Sequence, residues 1–256
     1  MMENRSFDHY LGWLPGADGR QAGLRYVDDA GVAHETYRLA PEFQGCGHAD
    51  PDHSYEGGRV EWNGGRCDGS EPRFLGAELG LSGDDHPFAD VRNGQAFMHR
   101  VYEAVVRSPA WARTLLVFNY DEWGGFFDHV PPPTASIPPA DAAAGNEDGR
   151  LGFRVPCMIV SLFARRQHVS HLVMDHTSIL RMIEWRFGLP PLTERDATAN
   201  NLADALDISR PNLEAKRLKV PAGPFGQACQ PFSMRAAMAD EWEALREMSR
   251  GFGWPA

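Results

Sequence analysis

The chain has 256 residues, 43% hydrophobic and 23% charged, with a net charge of -10, the composition of a globular protein long enough for a proper core. No lysine- or arginine-rich block appears, which excludes nucleic-acid binding as a first reading, because affinity for a phosphate backbone needs clustered positive charge. No apolar run approaches the roughly 18 residues of a membrane span, and the first ten residues lack a signal-peptide pattern, so a cytoplasmic location is the default expectation.

Residues 1–70 are rich in Gly, Asp, His and aromatic residues, without clear periodicity. They read as loops and short strands wrapped over a site. The four cysteines, Cys46, Cys67, Cys157 and Cys229, form no CxxC pair and no zinc-finger pattern. A Cys46–Cys67 bridge is an option if the protein is exported, and Cys157 in its apolar run reads as a buried small hydrophobe.

From about residue 93 the pattern sharpens. Phe97, Val101, Ala104 and Val105 recur at helical spacing, predicting a helix over Asn93–Arg107 that closes at Ser108-Pro109. Thr114–Tyr120 is a short apolar run of strand formers and reads as a buried, parallel strand. Gly124-Gly125 and the prolines at 131–133 make the next segment a loop, and residues 134–150 read as a mobile surface loop. A second buried strand is expected over Val155–Leu162. Ile179, Leu180, Ile183 and Phe187 mark another helix, opened by Asp175 or Thr177 and stopped by Gly188 and Pro190. This alternation predicts an α/β domain over residues 1–207, with its site at the carboxyl ends of the strands. Residues 208–256 read as a tail with one helix near Met234–Ser249.

The chemistry gathers at two acidic pairs. Asp121-Glu122 follows a predicted strand and precedes Gly124-Gly125. Adjacent carboxylates repel unless a cation or several donors offset the charge. An isolated pair of this kind is most often an exposed acidic turn. Here Tyr120, Trp123, Phe126 and Phe127 surround it and argue for burial, and buried carboxylates need partners. Glu3-Asn4 repeats the logic with a carboxylate beside a neutral oxygen donor. Together the pairs offer four oxygen ligands to one divalent cation, favouring Mg, Mn or Ca, with Zn and Fe still open.

His53 in ADPDHSYEGG and His86 in SGDDHPFAD lie in loops, where each could orient phosphate oxygens or protonate a leaving alcohol. The plainer reading for either is a loop histidine bonded to a nearby Asp. His176 opens a helix and is most simply part of its cap. Asp128 and His129 read as support behind the metal loop.

In this order, the segments resemble a bacterial phosphoesterase family of phosphatidylcholine-cleaving phospholipases C and acid phosphatases, within the alkaline phosphatase superfamily. The resemblance rests on MENRSFDHYLG at 2–12, HSYE at 53–56, WNGG at 62–65 and CDG at 67–69. It continues through DDHP at 84–87, SPAW at 108–111, YDEWGGFFDHVPP at 120–132, RVP at 154–156 and DHTS at 175–178. It implies an alkaline phosphatase-like fold, a mainly parallel sheet flanked by helices, and hydrolysis of phosphate mono- or diesters. It also implies that Glu3, Asn4, Asp121 and Glu122 are metal ligands, and that His53 and His86 line the phosphate site.

Two departures stand out. Family members place an apolar strand before MENRSF, and carry a middle segment bearing a Thr or Ser nucleophile in a TxPNR-like context. Here Cys67-Asp-Gly-Ser70 runs straight into Glu71-Pro-Arg-Phe-Leu-Gly76, and TxPNR is absent. The expectation is hydrolysis by metal-activated water, with Ser70 the nearest substitute nucleophile. The alternative is a metal-binding remnant serving as a subunit or binding module. An α/β-hydrolase reading fails for want of GxSxG. The missing first strand leads to an expectation of a homo-oligomer.

Overall fold

The computed structural model describes residues 1–27, 32–36, 38–46, 50–67, 85–212 and 214–227. In chain order the elements are α1 (Phe7–Leu11), β1 (Arg25–Val27), β2 (Ala33–Glu35), α2 (Tyr55–Trp62), α3 (Val91–Arg107), β3 (Leu116–Asn119), α4 (Pro139–Ala143), β4 (Cys157–Val160), α5 (Thr177–Phe187) and α6 (Glu194–Thr198).

The fold is mixed α/β, but the expected pairing of the main strands is corrected. β3 and β4 run antiparallel, with Leu116 opposite Val160 and Asn119 opposite Cys157. β1 and β2 form a separate antiparallel pair. Among the described residues, parallel pairing is confined to one bridge between Met2 and Tyr120. The amide of Met2 donates to the Asn119 carbonyl at 2.8 Å, and the amide of Asp121 donates to the Met2 carbonyl at 3.0 Å. The N-terminal block thus lies along the end of β3, the place the sequence marked for chemistry.

α3 begins two residues earlier than expected, because the Asp90 side chain accepts from the Arg92 amide and caps it. Its buried face is also not the apolar one. Phe97 and Ala104 are exposed, while Val91, Asn93, Gly94 and Ala96 are buried. Asn93 fits there because it exchanges two hydrogen bonds with the Phe225 backbone, at 2.8 and 2.9 Å. A side chain at Gly94 would collide with the Asp85 carboxylate, so the glycine is a seat for that buried acid.

α5 follows the prediction closely. The Thr177 amide donates to Asp175 Oδ1 at 2.7 Å, and Gly188 closes the helix at φ 65°. Residues 134–150 are tied off by a Thr134–Arg150 bridge and carry α4, so this segment is a closed loop with structure of its own. Trp123, Phe153 and Cys67 form an apolar cluster that includes the loop after β3, with Trp62 and Val155 against it. Cys67 is a buried thiol outside any disulfide whereas Cys46 is disulfide-bonded, so the Cys46–Cys67 bridge does not form. Cys157 is exposed at the start of β4, not buried. The helix expected at 234–249, and Ser70, lie outside the described residues.

Candidate metal and phosphate site

The parallel bridge at Met2 sets the two acidic pairs side by side. Asn4 is 3% exposed and adopts φ 55°, a left-handed conformation that asparagine tolerates better than most residues. Its amide donates to Asp121 Oδ1 at 3.2 Å, and the Glu122 amide donates to the same oxygen at 2.8 Å. One Asp121 oxygen is therefore committed to holding the loop, and the other is the one that could bind a cation. Gly124, at φ 67°, lies so close to Asn4 that a Cβ there would fall 2.6 Å from Asn4 Cα. Both the conformation and the approach require glycine.

Glu122 reports the charge of the cluster. Its pKa is raised to about 7, chiefly by burial; His53 opposes the shift, and Asp121, Glu3 and Asp52 reinforce it. Glu3 itself is exposed. Three carboxylates and a buried amide oxygen at one loop make a hard-donor set that suits a divalent cation. Their donor chemistry suits such an ion, but among the described residues the carboxylates of Glu3, Asp121 and Glu122 do not all gather within 4.8 Å of one another.

The histidines expected at the phosphate site do meet. Their rings are 5.6 Å apart between centroids and nearly perpendicular. His53 Nε2 lies 3.6 Å from Glu122 Oε1 and 3.5 Å from Asn4 Nδ2. Its Nδ1 donates to the Pro51 carbonyl at 2.9 Å, so the nitrogen facing the acidic loop is Nε2. His86 Nδ1 likewise donates to the Pro87 carbonyl, and His86 Nε2 lies 4.0 Å from Asp50 Oδ2.

Sequence reasoning missed Asp50. Its carboxylate is 1% exposed and sits with His53 and His86 in one group. The signal was its spacing, three residues before His53 in ADPDHSYEGG.

Asp128 and His129 sit in a neighbouring cluster. Asp8 Oδ2 accepts from the His129 amide at 3.0 Å and from its Nδ1 at 2.6 Å. The Arg154 Nε donates to both oxygens of Asp128, at 3.0 and 3.1 Å, and Nη2 reaches Asp8 Oδ1 at 3.4 Å. Although these acids and His129 are close enough to suit a metal, the guanidinium already holds them. The cluster ties α1 to the segment after the Asp121-Glu122 loop, as does Ser6 Oγ donating to the Phe127 carbonyl at 2.6 Å. His176 does more than open α5: its Nε2 donates to the Tyr120 carbonyl at 2.7 Å, bracing the residue before Asp121.

The comparisons with known proteins fall on these same segments. A family model described as "Phosphoesterase family" matches residues 1–75 and 71–190. A Mycobacterium tuberculosis protein named "Phospholipase C B" is 38% identical over 157 residues, covering 52% of this chain and 30% of its own length. "Non-specific phospholipase C6" of Arabidopsis thaliana is 40% identical over 151 residues, covering 53% of this chain and 29% of its own. "Non-specific phospholipase C5" of the same plant is 32% identical over 185 residues, covering 67% of this chain and 34% of its own. The chain thus spans about a third of the length of the curated relatives it matches. With most of its length matched by the model, including both acidic pairs and both site histidines, the chain belongs to the phosphoesterase family.

Proposed function

We propose that the protein is a metal-dependent phosphoesterase that hydrolyses phosphate mono- or diesters, in the manner of the phospholipases C and acid phosphatases it resembles. One observation carries the reading: Asn4 and the Asp121-Glu122 pair, 117 residues apart at the Asn4–Asp121 hydrogen bond, meet at a single loop with His53 beside them, and Glu3 adds its charge to Glu122.

Glu3, Asn4, Asp121 and Glu122 would hold the cation, which supplies polarisation of a phosphoryl oxygen when bound. His53 and His86 present Nε2 toward the same space, each ring fixed by a carbonyl at Nδ1. A proton carried at Nε2 is in place to reach a leaving alcohol oxygen. Water is the attacking group in this reading, since TxPNR is absent from the sequence; Ser70 is the substitute hydroxyl to test against it. Asp128 and His129 serve to hold the loop in register through Asp8 and Arg154.

The two family-model stretches meet at residues 71–75, which supports the reading that the nucleophile segment is absent there. That same absence favours a second reading, a metal-binding remnant without turnover. An alkaline phosphatase-like fold is supported by family membership, with the Met2–Tyr120 bridge the one parallel pairing among the described residues. A homo-oligomer is supported by exposed Ile183, Trp185 and Phe187 on α5, and light scattering tests it.

The deciding experiment measures metal content and hydrolysis of chromogenic phosphate mono- and diesters, before and after chelation. Chelator-sensitive hydrolysis restored by a divalent cation is expected. Bound metal without hydrolysis of either ester would select the remnant.

A further inference from the structure

We propose that Asp50, His53 and His86 form a second cation site, of nitrogen-rich, zinc-type character, beside the oxygen-rich quartet. The inference rests on the quartet being the site of the first cation, and it adds a separate occupant with different chemistry.

The argument starts from the rings. A backbone carbonyl accepts and cannot donate, so the bonds from His53 Nδ1 to Pro51 and from His86 Nδ1 to Pro87 place the N–H at Nδ1 in both. In each neutral ring the lone pair is then on Nε2. Those two nitrogens and one oxygen of Asp50 all lie within 4.8 Å of one another. Imidazole nitrogen and carboxylate oxygen are ligands that a borderline cation takes, and one ion can be held by all three atoms at once. The Asn4 Nδ2 that reaches His53 Nε2 at 3.5 Å gives way when it binds.

The surroundings are those of a metal site. A ligating histidine typically donates its second ring nitrogen to a carbonyl or carboxylate, which fixes its tautomer and raises its basicity, and both rings already have that arrangement. Asp50 is 1% exposed, so its carboxylate is held in place. Ligand atoms bound tetrahedrally at about 2.0–2.2 Å from zinc stand roughly 3.3–3.6 Å apart, so the group needs to close by no more than about 1.5 Å. Two nitrogens and one oxygen favour Zn or a similar borderline ion, whereas the quartet offers oxygens alone.

The two sites share a boundary. His53 Nε2 is 3.6 Å from Glu122 Oε1, so that ring sits between the quartet and Asp50. A cation held by both Nε2 atoms and a proton on either of them exclude each other. Occupancy of this site therefore withdraws the two histidines from proton transfer, and a zinc-type ion in excess acts as a brake on any step that needs them.

The test is a binding measurement on the whole chain, independent of turnover. Protein is first saturated with Mg, then titrated with Co(II), whose visible bands report histidine ligation, with the bound equivalents counted by elemental analysis. One further equivalent is expected in the wild type and in Asp121→Asn. At least a tenfold loss of its affinity is expected in both His86→Gln and Asp50→Asn. Circular dichroism confirms that each variant melts cooperatively, and the half-buried His86 change serves if the buried Asp50 change unfolds. A wild type that takes up no Co(II) beyond the Mg-competable equivalent overturns the proposal. So does a second equivalent that survives both variants. If Asp121→Asn binds Mg as the wild type does, the quartet reading fails instead, and the Co(II) result stands apart from it.

Discussion

The parallel bridge between Met2 and Tyr120 turns two distant sequence blocks into one loop cluster. The Asp121 amide donates to the Met2 carbonyl, and the Asn4 amide donates back to the Asp121 side chain at 3.2 Å. Asp121 therefore has one visible job and one proposed for it: Oδ1 holds two backbone amides, and its charge is the one we propose attracts a cation. Asp121→Asn keeps an oxygen acceptor for those amides and removes the charge. We expect it to melt close to the wild type, yet to bind Mn at least tenfold more weakly, beyond the lower end of what losing an outer-shell partner costs. Calorimetric titration with Mn reads the affinity, and unchanged binding would refute the ligand assignment.

Two glycines with left-handed backbones separate conformational strain from contact. Gly124 has φ 67° with Asn4 against it, and Gly145 has φ 97° with nothing within 4 Å. An alanine at either carries the left-handed penalty of about 1–2 kcal/mol. Only Gly124→Ala also drives a methyl group into the Asn4 backbone. Gly124→Ala should therefore be the more destabilised in urea and should lose metal, while Gly145→Ala keeps its metal. Equal metal content in the two would show that the close approach at Gly124 is not needed.

Several residues that meet at the candidate site could be picked out because they sit in short blocks with a local reason to be there. Asp121-Glu122 before Gly124-Gly125 can be read without knowing what lies opposite. α5 was legible for a similar reason, since Asp175 and Gly188 cap it with their own local bonds and conformation. The strand direction was not. Thr114–Tyr120 is apolar whichever way its neighbour runs, and the partner Cys157–Val160 lies some 40 residues away. The buried face of α3 could not be read for a different reason: Asn93 is buried through bonds to Phe225, 132 residues distant, and helical periodicity carries no trace of them. Asp50 was missed because its role depends on His86, from a different loop.

Arg154 holds the first block against the segment after the Asp121-Glu122 loop. Its guanidinium meets Asp128, which is fully buried, and Asp8, which is 1% exposed. Burial raises the Asp128 pKa and Arg154 opposes that shift, so removing the arginine leaves two buried acids without it. Breaking a buried ion pair from one side typically costs about 3–5 kcal/mol. Arg154→Ala should show a destabilisation of that order in urea, and Arg154→Lys should recover only part, because an ammonium cannot span both oxygens of Asp128 as the fork does. A loss below about 1 kcal/mol, the range of surface pairs, would mean that the cluster is not the clamp described.

Glu61 gives the stability of the fold a dependence on pH. Its carboxylate lies against the Trp123–Phe153 cluster, with the indole N–H of Trp123 donating to Oε2 at 2.8 Å. Burial raises its pKa from 4.5 to about 8; the Trp123 bond opposes this and the Asp128 charge adds to it. Between those two values the folded protein keeps a proton that the unfolded chain releases, so stability falls as pH rises. The contribution is fully present below pH 4.5 and lost as pH passes through about 8. At 1.36 kcal/mol per unit the effect has an upper bound of about 5 kcal/mol. Glu61→Gln keeps an oxygen for the indole and carries no proton to lose. Its melting temperature should therefore fall less than that of the wild type between about pH 6 and about pH 9. The two proteins should differ most at the alkaline end, with the variant the more stable there. Melts followed by circular dichroism in metal-free buffer make the comparison, and parallel pH profiles would show that Glu61 ionises in the folded protein as freely as it does in water.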